Sequence, residues 1–174
     1  ISAGQVTHAE TAAGLATKFA NYVQGKSKIR ATVAGTGAMI DGTAVSSIVG
    51  YKIEMNGQTY NTNDATSFEL VNAGAQDIIY TVTDSRGRTA SRNVSISPLE
   101  YKPPILSVLG ASRCEADGTP NDEGEFAKVT IGATISALNN LNNKIFTISK
   151  KPVTSGTWTN QNVSSATYTI ATTV

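Results

Sequence analysis

The sequence predicts an all-β protein built as two β-sandwich domains in tandem. Three observations carry that reading. Short stretches of apolar–polar alternation recur with a period of two, and Gly, Asn, Asp and Pro punctuate them. The composition is 40% hydrophobic but only 6% aromatic and 16% charged, the balance of a turn-rich β protein rather than a helical one. Pro103 and Pro104, in "SPLEYKPP" (97–104), divide the alternating stretches into two blocks. Proline cannot donate to a strand ladder, and it holds the residue before it extended. The 174 residues suit two small domains of about 85 residues each. The expected boundaries are a leader or linker at 1–18, a first sandwich at 19–98, a stiff linker at 99–104 and a second sandwich at 105–174.

The first strands follow from the alternation. In "KIRATVAG" (28–35), Ile29, Ala31 and Val33 share one face. "GYKIEMNGQTYN" (50–61) is a hairpin: Tyr51, Ile53 and Met55 alternate, and Asn56-Gly57 suits a type I′ turn, which needs positive φ at both central residues. "TSFELV" (66–71) is a short strand. "QDIIYTVTD" (76–84) sets Ile78, Tyr80 and Val82 on one face, and "RTASRNVSIS" (88–97) does the same with Ala90, Val94 and Ile96. Between these last two, Asp84-Ser85-Arg86-Gly87 reads as a bulged hairpin loop. Asp84 would accept bonds from the backbone N–H groups that follow it, and Gly87 would supply the left-handed φ. At the N-terminus, "VTHAETAAGLATKFANYV" (6–23) contains Thr7 and Glu10 at capping-box spacing, which predicts a short helix or loop near 8–16.

The second block repeats the first. "EFAKVTIGATISAL" (125–138) matches the alternation of 28–35, "NKIFTISKK" (143–151) stands in place of "GYKIEMNG", "GTWTNQNV" (156–163) is a short crossing strand, and "SATYTIATTV" (165–174) matches "TSFELVNAG". Nothing after it matches the 76–97 hairpin. The second sandwich is therefore expected to lack its last two strands, with the parent polypeptide continuing beyond Val174 and strand edges left open to pairing. A chain starting at Ile1 is read in the same way, as a piece or processed form of something longer.

Side-chain chemistry narrows the function classes. A net charge of +1 gives no reason to propose nucleic acid or an anionic membrane as a partner. One cysteine, Cys114, excludes an internal disulfide, and its place at the end of "ILSVLGASRC" predicts a buried thiol. The single histidine, His8, falls in the expected leader, far from any oriented serine or cysteine pair. Zinc fails on ligand count. "EADGTPNDEGE" (115–125) gathers Asp117, Asp122, Glu123 and Glu125, but at spacings unlike an EF-hand, and its turn residues predict a solvated loop. "AGTGAMIDG" has no phosphate-binding lysine. No cofactor, metal or catalytic residue is assigned. The sequence offers three candidate ligand contacts. Arg86 and Arg88 would reach a carboxylate or a glycan. Trp158 would stack on a sugar ring beside Asn160 and Gln161, unless it is a buried core tryptophan. The structural residues of the turns are Asp84, Gly87, Asn56 and Gly57.

"YVQGKSKI" (22–29), "TVTDSRGRTAS" (81–91), "YKPP" (101–104) and "RCEADGTPNDEGEFAKV" (113–129), in this order, resemble the tandem Ig-like, fibronectin III-like repeats of minor structural proteins from the tails and baseplates of siphophages of Gram-positive bacteria. The resemblance covers roughly residues 19–150. It implies a non-enzymatic virion component, assembled in the bacterial cytoplasm against other tail or baseplate subunits. Such a module acts as a spacer or decoration that positions host-binding elements, with host cell-wall saccharide as a possible contact. The shared motifs are turns and linkers, so the resemblance carries over no catalytic residue. An Ig-like stalk domain of a bacterial surface adhesin would share the same hairpins and is the alternative.

Overall fold

A computed structural model describes residues 1–11, 14–37, 39–40, 43–152, 154–163 and 167–171. The protein is all-β, with several antiparallel sheets. It divides into unit 1, Ile1–Tyr101, and unit 2, Lys102–Val174.

Among its described residues, unit 1 holds nine strands: β1 (Val6–Glu10), β2 (Lys28–Val33), β3 (Met39–Ile40), β4 (Thr43–Ala44), β5 (Ile48–Met55), β6 (Gln58–Tyr60), β7 (Asp64–Glu69), β8 (Gln76–Asp84) and β9 (Thr89–Ile96). They form a three-stranded sheet, β1-β2-β7, a four-stranded sheet, β6-β5-β8-β9, and the small ribbon β3-β4. The alternation of the sequence explains the core. Ile29, Ala31 and Val33 of β2, with Ala65 and Phe68 of β7, supply one sheet's buried face. Ile53, Met55, Ile78, Tyr80, Val82 and Ile96 supply the other's. All belong to one cluster, so the two sheets bury their apolar faces against each other. The Tyr80 hydroxyl donates to the Thr7 carbonyl at 3.0 Å, tying β8 to β1. Burial, then the nearby Tyr22, pushes the Tyr80 phenol up to about 12.

The expected type I′ turn is present, with Asn56 at φ 49° and Gly57 at φ 74°, and Met55 paired to Gln58. Ala90, expected to face inward, is exposed: the inward face of β9 starts at the half-buried Arg92 and continues through Val94, which packs against the core, to Ile96.

The leader expected at 1–18 is corrected. Val6–Glu10 is an edge strand of the first sheet, pairing antiparallel with β2 from Val6↔Val33 to Glu10↔Ile29. Thr7 and Glu10 therefore form no capping box. Thr7 Oγ1 bonds Thr32 Oγ1 across the ladder, and the Glu10 carboxylate accepts from Ala16 N at 2.8 Å and from the buried Ser27 hydroxyl. The only α-helix among the described residues is α1 (Leu15–Phe19), so the helix lies later than the predicted 8–16. Residues 12–13 of that stretch lie outside the described residues. The linker expected at 99–104 is also shorter than predicted. Leu99 makes a parallel bridge to Val23, and Tyr101 N donates to the Gln24 side chain, so both belong to unit 1.

Unit 2 holds β10 (Ile105–Cys114), β11 (Phe126–Thr134), β12 (Phe146–Lys150), β13 (Thr159–Val163) and β14 (Thr167–Ala171). β10, β11 and β14 make a three-stranded sheet and β12 and β13 a hairpin. This repeats the arrangement of β1-β2-β7 and of β5-β6. The stretch 156–163, expected as a crossing strand, instead contributes β13, which takes the place that β6 holds beside β5. Cys114 is buried, with Ile131, Leu138 and Val163, while Ile105, Leu106, Leu109 and Ile145 stand exposed. Residues 165–166 and 172–174 of the expected last strand lie outside the described residues.

Candidate functional site

The turn joining β8 to β9 shows what its charged residues do. Asp84 is only 8% exposed. Its Oδ1 accepts from the backbone N–H groups of Arg86 at 2.9 Å and Arg88 at 3.0 Å, and its Oδ2 from the Arg88 guanidinium at 2.9 and 2.5 Å. The backbone closes the loop with Asp84 N–H to the Arg88 carbonyl and Gly87 N–H to the Asp84 carbonyl, both 2.9 Å. Gly87 sits at φ 78°, where a Cβ would be strained. Arg88 is thus a structural partner of Asp84, and its side chain is still 57% exposed. Arg86 uses only its amide in the turn and is exposed, so its guanidinium remains a surface group.

The Arg88 side-chain bonds, more than the two backbone bonds, hold the Asp84 carboxyl well below the usual carboxylate range. A depressed folded pKa contributes stability above the unfolded value of 3.8, and that contribution is lost as pH falls through the folded pKa. His8 acts earlier. Burial lowers its pKa from 6.5, so the folded state binds fewer protons and loses stability as pH falls below about 6.5. Thermal melts should therefore show a first drop in Tm below about pH 6.5 that His8→Gln removes. A second drop, below about pH 4, should disappear in Asp84→Asn, whose Tm at pH 7 is already lower. Identical profiles for wild type and both variants would refute these assignments.

Trp158 is not a core tryptophan. It is 59% exposed, and Lys151 Nζ lies 5.1 Å from its ring centroid. On β13, the side-chain oxygen of Asn160 accepts from Ser149 Oγ at 2.8 Å. An aromatic face beside polar groups is the chemistry of sugar stacking. The acidic loop 115–125 closes on itself. Asp117 accepts from Thr119 N at 2.8 Å, which lowers its carboxyl pKa, and the Asn121 side chain accepts from Glu123 N at 2.9 Å and donates to Glu115. Among the described residues, no group of three or more His, Cys, Asp or Glu stands together as a metal site, and no helix is long and apolar enough to cross a membrane.

Sequence reasoning missed one feature. A groove of about 370 Å³ runs between β1 and β9, lined by Ala3, Val6, Thr7, His8, Arg92 and Val94. His8 Nδ1 lies 2.8 Å from the Tyr22 hydroxyl, and the rings meet edge-on with centroids 5.8 Å apart. Arg92 Nε is buried with no hydrogen-bond partner. A guanidinium, a largely neutral imidazole and an apolar wall offer the chemistry of binding a polar group on an apolar body. The signal was present in Val6-Thr7-His8-Ala9-Glu10, whose alternate residues are half-buried, but the capping-box spacing obscured it.

Comparison with known protein families, curated proteins and solved structures finds no match for this chain.

Proposed function

We propose that this chain is a non-enzymatic structural module of a siphophage tail or baseplate, built from tandem Ig-like domains. It acts as a spacer or decoration that positions host-binding elements, and it contacts host cell-wall saccharide through the exposed face of Trp158. The observation that carries the reading is the internal repeat. A three-stranded antiparallel sheet and a hairpin occur in unit 1 as β1-β2-β7 and β5-β6, and again in unit 2 as β10-β11-β14 and β12-β13. In unit 1 a second hairpin, β8-β9, completes a four-stranded sheet opposite the three-stranded one, in the manner of Ig-like sandwiches. The motifs that carry the resemblance serve the scaffold: Asp84, Gly87 and Arg88 fix a turn, and Tyr101 is tied to unit 1 through Gln24. Repeated scaffold units with motif residues spent on turns fit a spacing role.

Antibody raised against the chain should label the tails of purified virions in electron micrographs and leave uninfected cell walls bare. Label on cell walls with bare particles would replace the phage reading by that of a bacterial adhesin stalk. On a glycan array, wild type should retain cell-wall saccharides that Trp158→Ala does not. Silence of both proteins would remove the saccharide contact and leave the spacer role.

A further inference from the structure

Arg92 stands half-buried on the inward face of β9, between the exposed Ser91 and Asn93, and pairs in register with Tyr80 of β8. Its Nε is buried without a hydrogen-bond partner. Two other arginines of unit 1 show what such a group takes. Arg30 and Arg88 each turn Nε and Nη2 onto a single carboxylate, those of Asp64 and Asp84. Lys28 and Lys52 close on Glu69 and Glu54. Among the described residues, no ion pair includes Arg92. A buried charged group with an unpaired donor carries a desolvation cost that nothing offsets.

The groove beside it supplies no acceptor. No Asp or Glu lines its volume of about 370 Å³. The Thr7 carbonyl accepts from the Tyr80 hydroxyl, and Thr7 Oγ1 bonds Thr32 Oγ1. His8 Nδ1 is bonded to the Tyr22 hydroxyl. The other walls are hydrocarbon: Val6 and Val94 pack against the core. Ala3 joins them from a 3₁₀ turn, Ala3–Gln5, held by Gln5 N–H to the Ser2 carbonyl at 3.2 Å and by Ala34 N–H to the Gln5 carbonyl at 2.7 Å.

Charge complementarity decides the ligand. A carboxylate offers two oxygens in the plane of the guanidinium fork. An ammonium would meet like charge, and a neutral amide would leave the guanidinium charge uncompensated. The apolar walls call for a compact hydrocarbon body, and the volume suits a small molecule.

We propose that the groove between β1 and β9 is a binding site for a small organic carboxylate. The carboxylate sits on Arg92 Nε, and its apolar body lies against Val6 and Val94. The site belongs to unit 1 alone and holds whatever particle or surface carries the chain.

The test titrates the intact chain with 4-methylpentanoate and, in parallel, with the neutral 4-methylpentanamide. NMR follows the Arg92 Nε–H signal and the methyl groups of Val6 and Val94. The carboxylate should shift all of them saturably, with a Kd on the order of 1 mM for so small a ligand. The amide should bind at least about tenfold more weakly, the difference between a charge-assisted and a neutral hydrogen bond. Sodium chloride at the same ionic strength should not reproduce the shifts. Arg92→Met keeps the length of the side chain and removes its donors. It should lose saturable binding, while its Tm without ligand stays level or rises, because an unpaired buried donor has gone. Equal binding of carboxylate and amide would overturn the proposal, as would the same shifts in sodium chloride. So would wild-type affinity in Arg92→Met, or a fall in its Tm, which would make Arg92 a structural residue with partners inside the fold.

Discussion

Phe68→Ala lowers the stability of unit 1 by about 3–5 kcal/mol, the cost of removing a buried aromatic ring and leaving a cavity. Phe68 is fully buried on β7, pairs in register with Ile29 of β2, and meets the Tyr60 ring edge-on with centroids 4.7 Å apart. It lies on the three-stranded sheet and packs in one cluster with Ile53, Met55, Ile78 and Tyr80 of the four-stranded sheet, so its loss opens the layer between them. For a domain of this size the deficit corresponds to a fall in Tm on the order of 15–30 °C. Phe68→Leu, which keeps most of the apolar volume, should lose distinctly less. Calorimetry of both variants measures the difference, and two equal, small shifts would mean that the sheets do not share one core.

Most of unit 1 was legible because period-two alternation and turn chemistry act within a few residues. The face Ile29-Ala31-Val33, the face Ile78-Tyr80-Val82, the Asn56-Gly57 turn and the Asp84–Gly87 loop each follow from spacing alone. The misreadings arose where long-range pairing competes with a local signal. Thr7 and Glu10 have capping-box spacing, but β2 offers five residues a ladder, and Glu10 finds its partners at Ala16 and Ser27. The strand β10 was recognised only as a stretch around Cys114, since its apolar residues carry no clean alternation. The candidate contacts divided for a similar reason. Arg88 looks like any turn arginine in sequence, and only the burial of Asp84 reveals that its guanidinium is engaged. The groove at His8 and Arg92 joins residues more than eighty positions apart, which no local pattern can bring together.

Removing residues 1–10 is the sharpest check on the place of β1. A leader could be cut without effect, but an edge strand could not. The truncation takes the Thr7 carbonyl from the Tyr80 hydroxyl, leaving a donor on a fully buried residue unsatisfied, a loss of about 1–3 kcal/mol by itself. It also takes the Glu10 carboxylate from Ser27, which is 2% exposed, and strips one of the two ladders from β2, leaving that with β7. The expected total is on the order of 3–5 kcal/mol, with faster amide exchange across Lys28–Val33 as β2 becomes the new edge. Tyr80→Phe supplies the internal control. In the full chain it should cost about 1 kcal/mol, the net value of one hydrogen bond. In the truncated chain the same substitution should be neutral or stabilising, because it removes a donor that has nothing left to bond. That change of sign isolates the Tyr80–Thr7 bond as a double-mutant coupling. An additive result, with Tyr80→Phe equally costly in both backgrounds, would show that the hydroxyl is satisfied elsewhere and that β1 holds unit 1 only through its ladder.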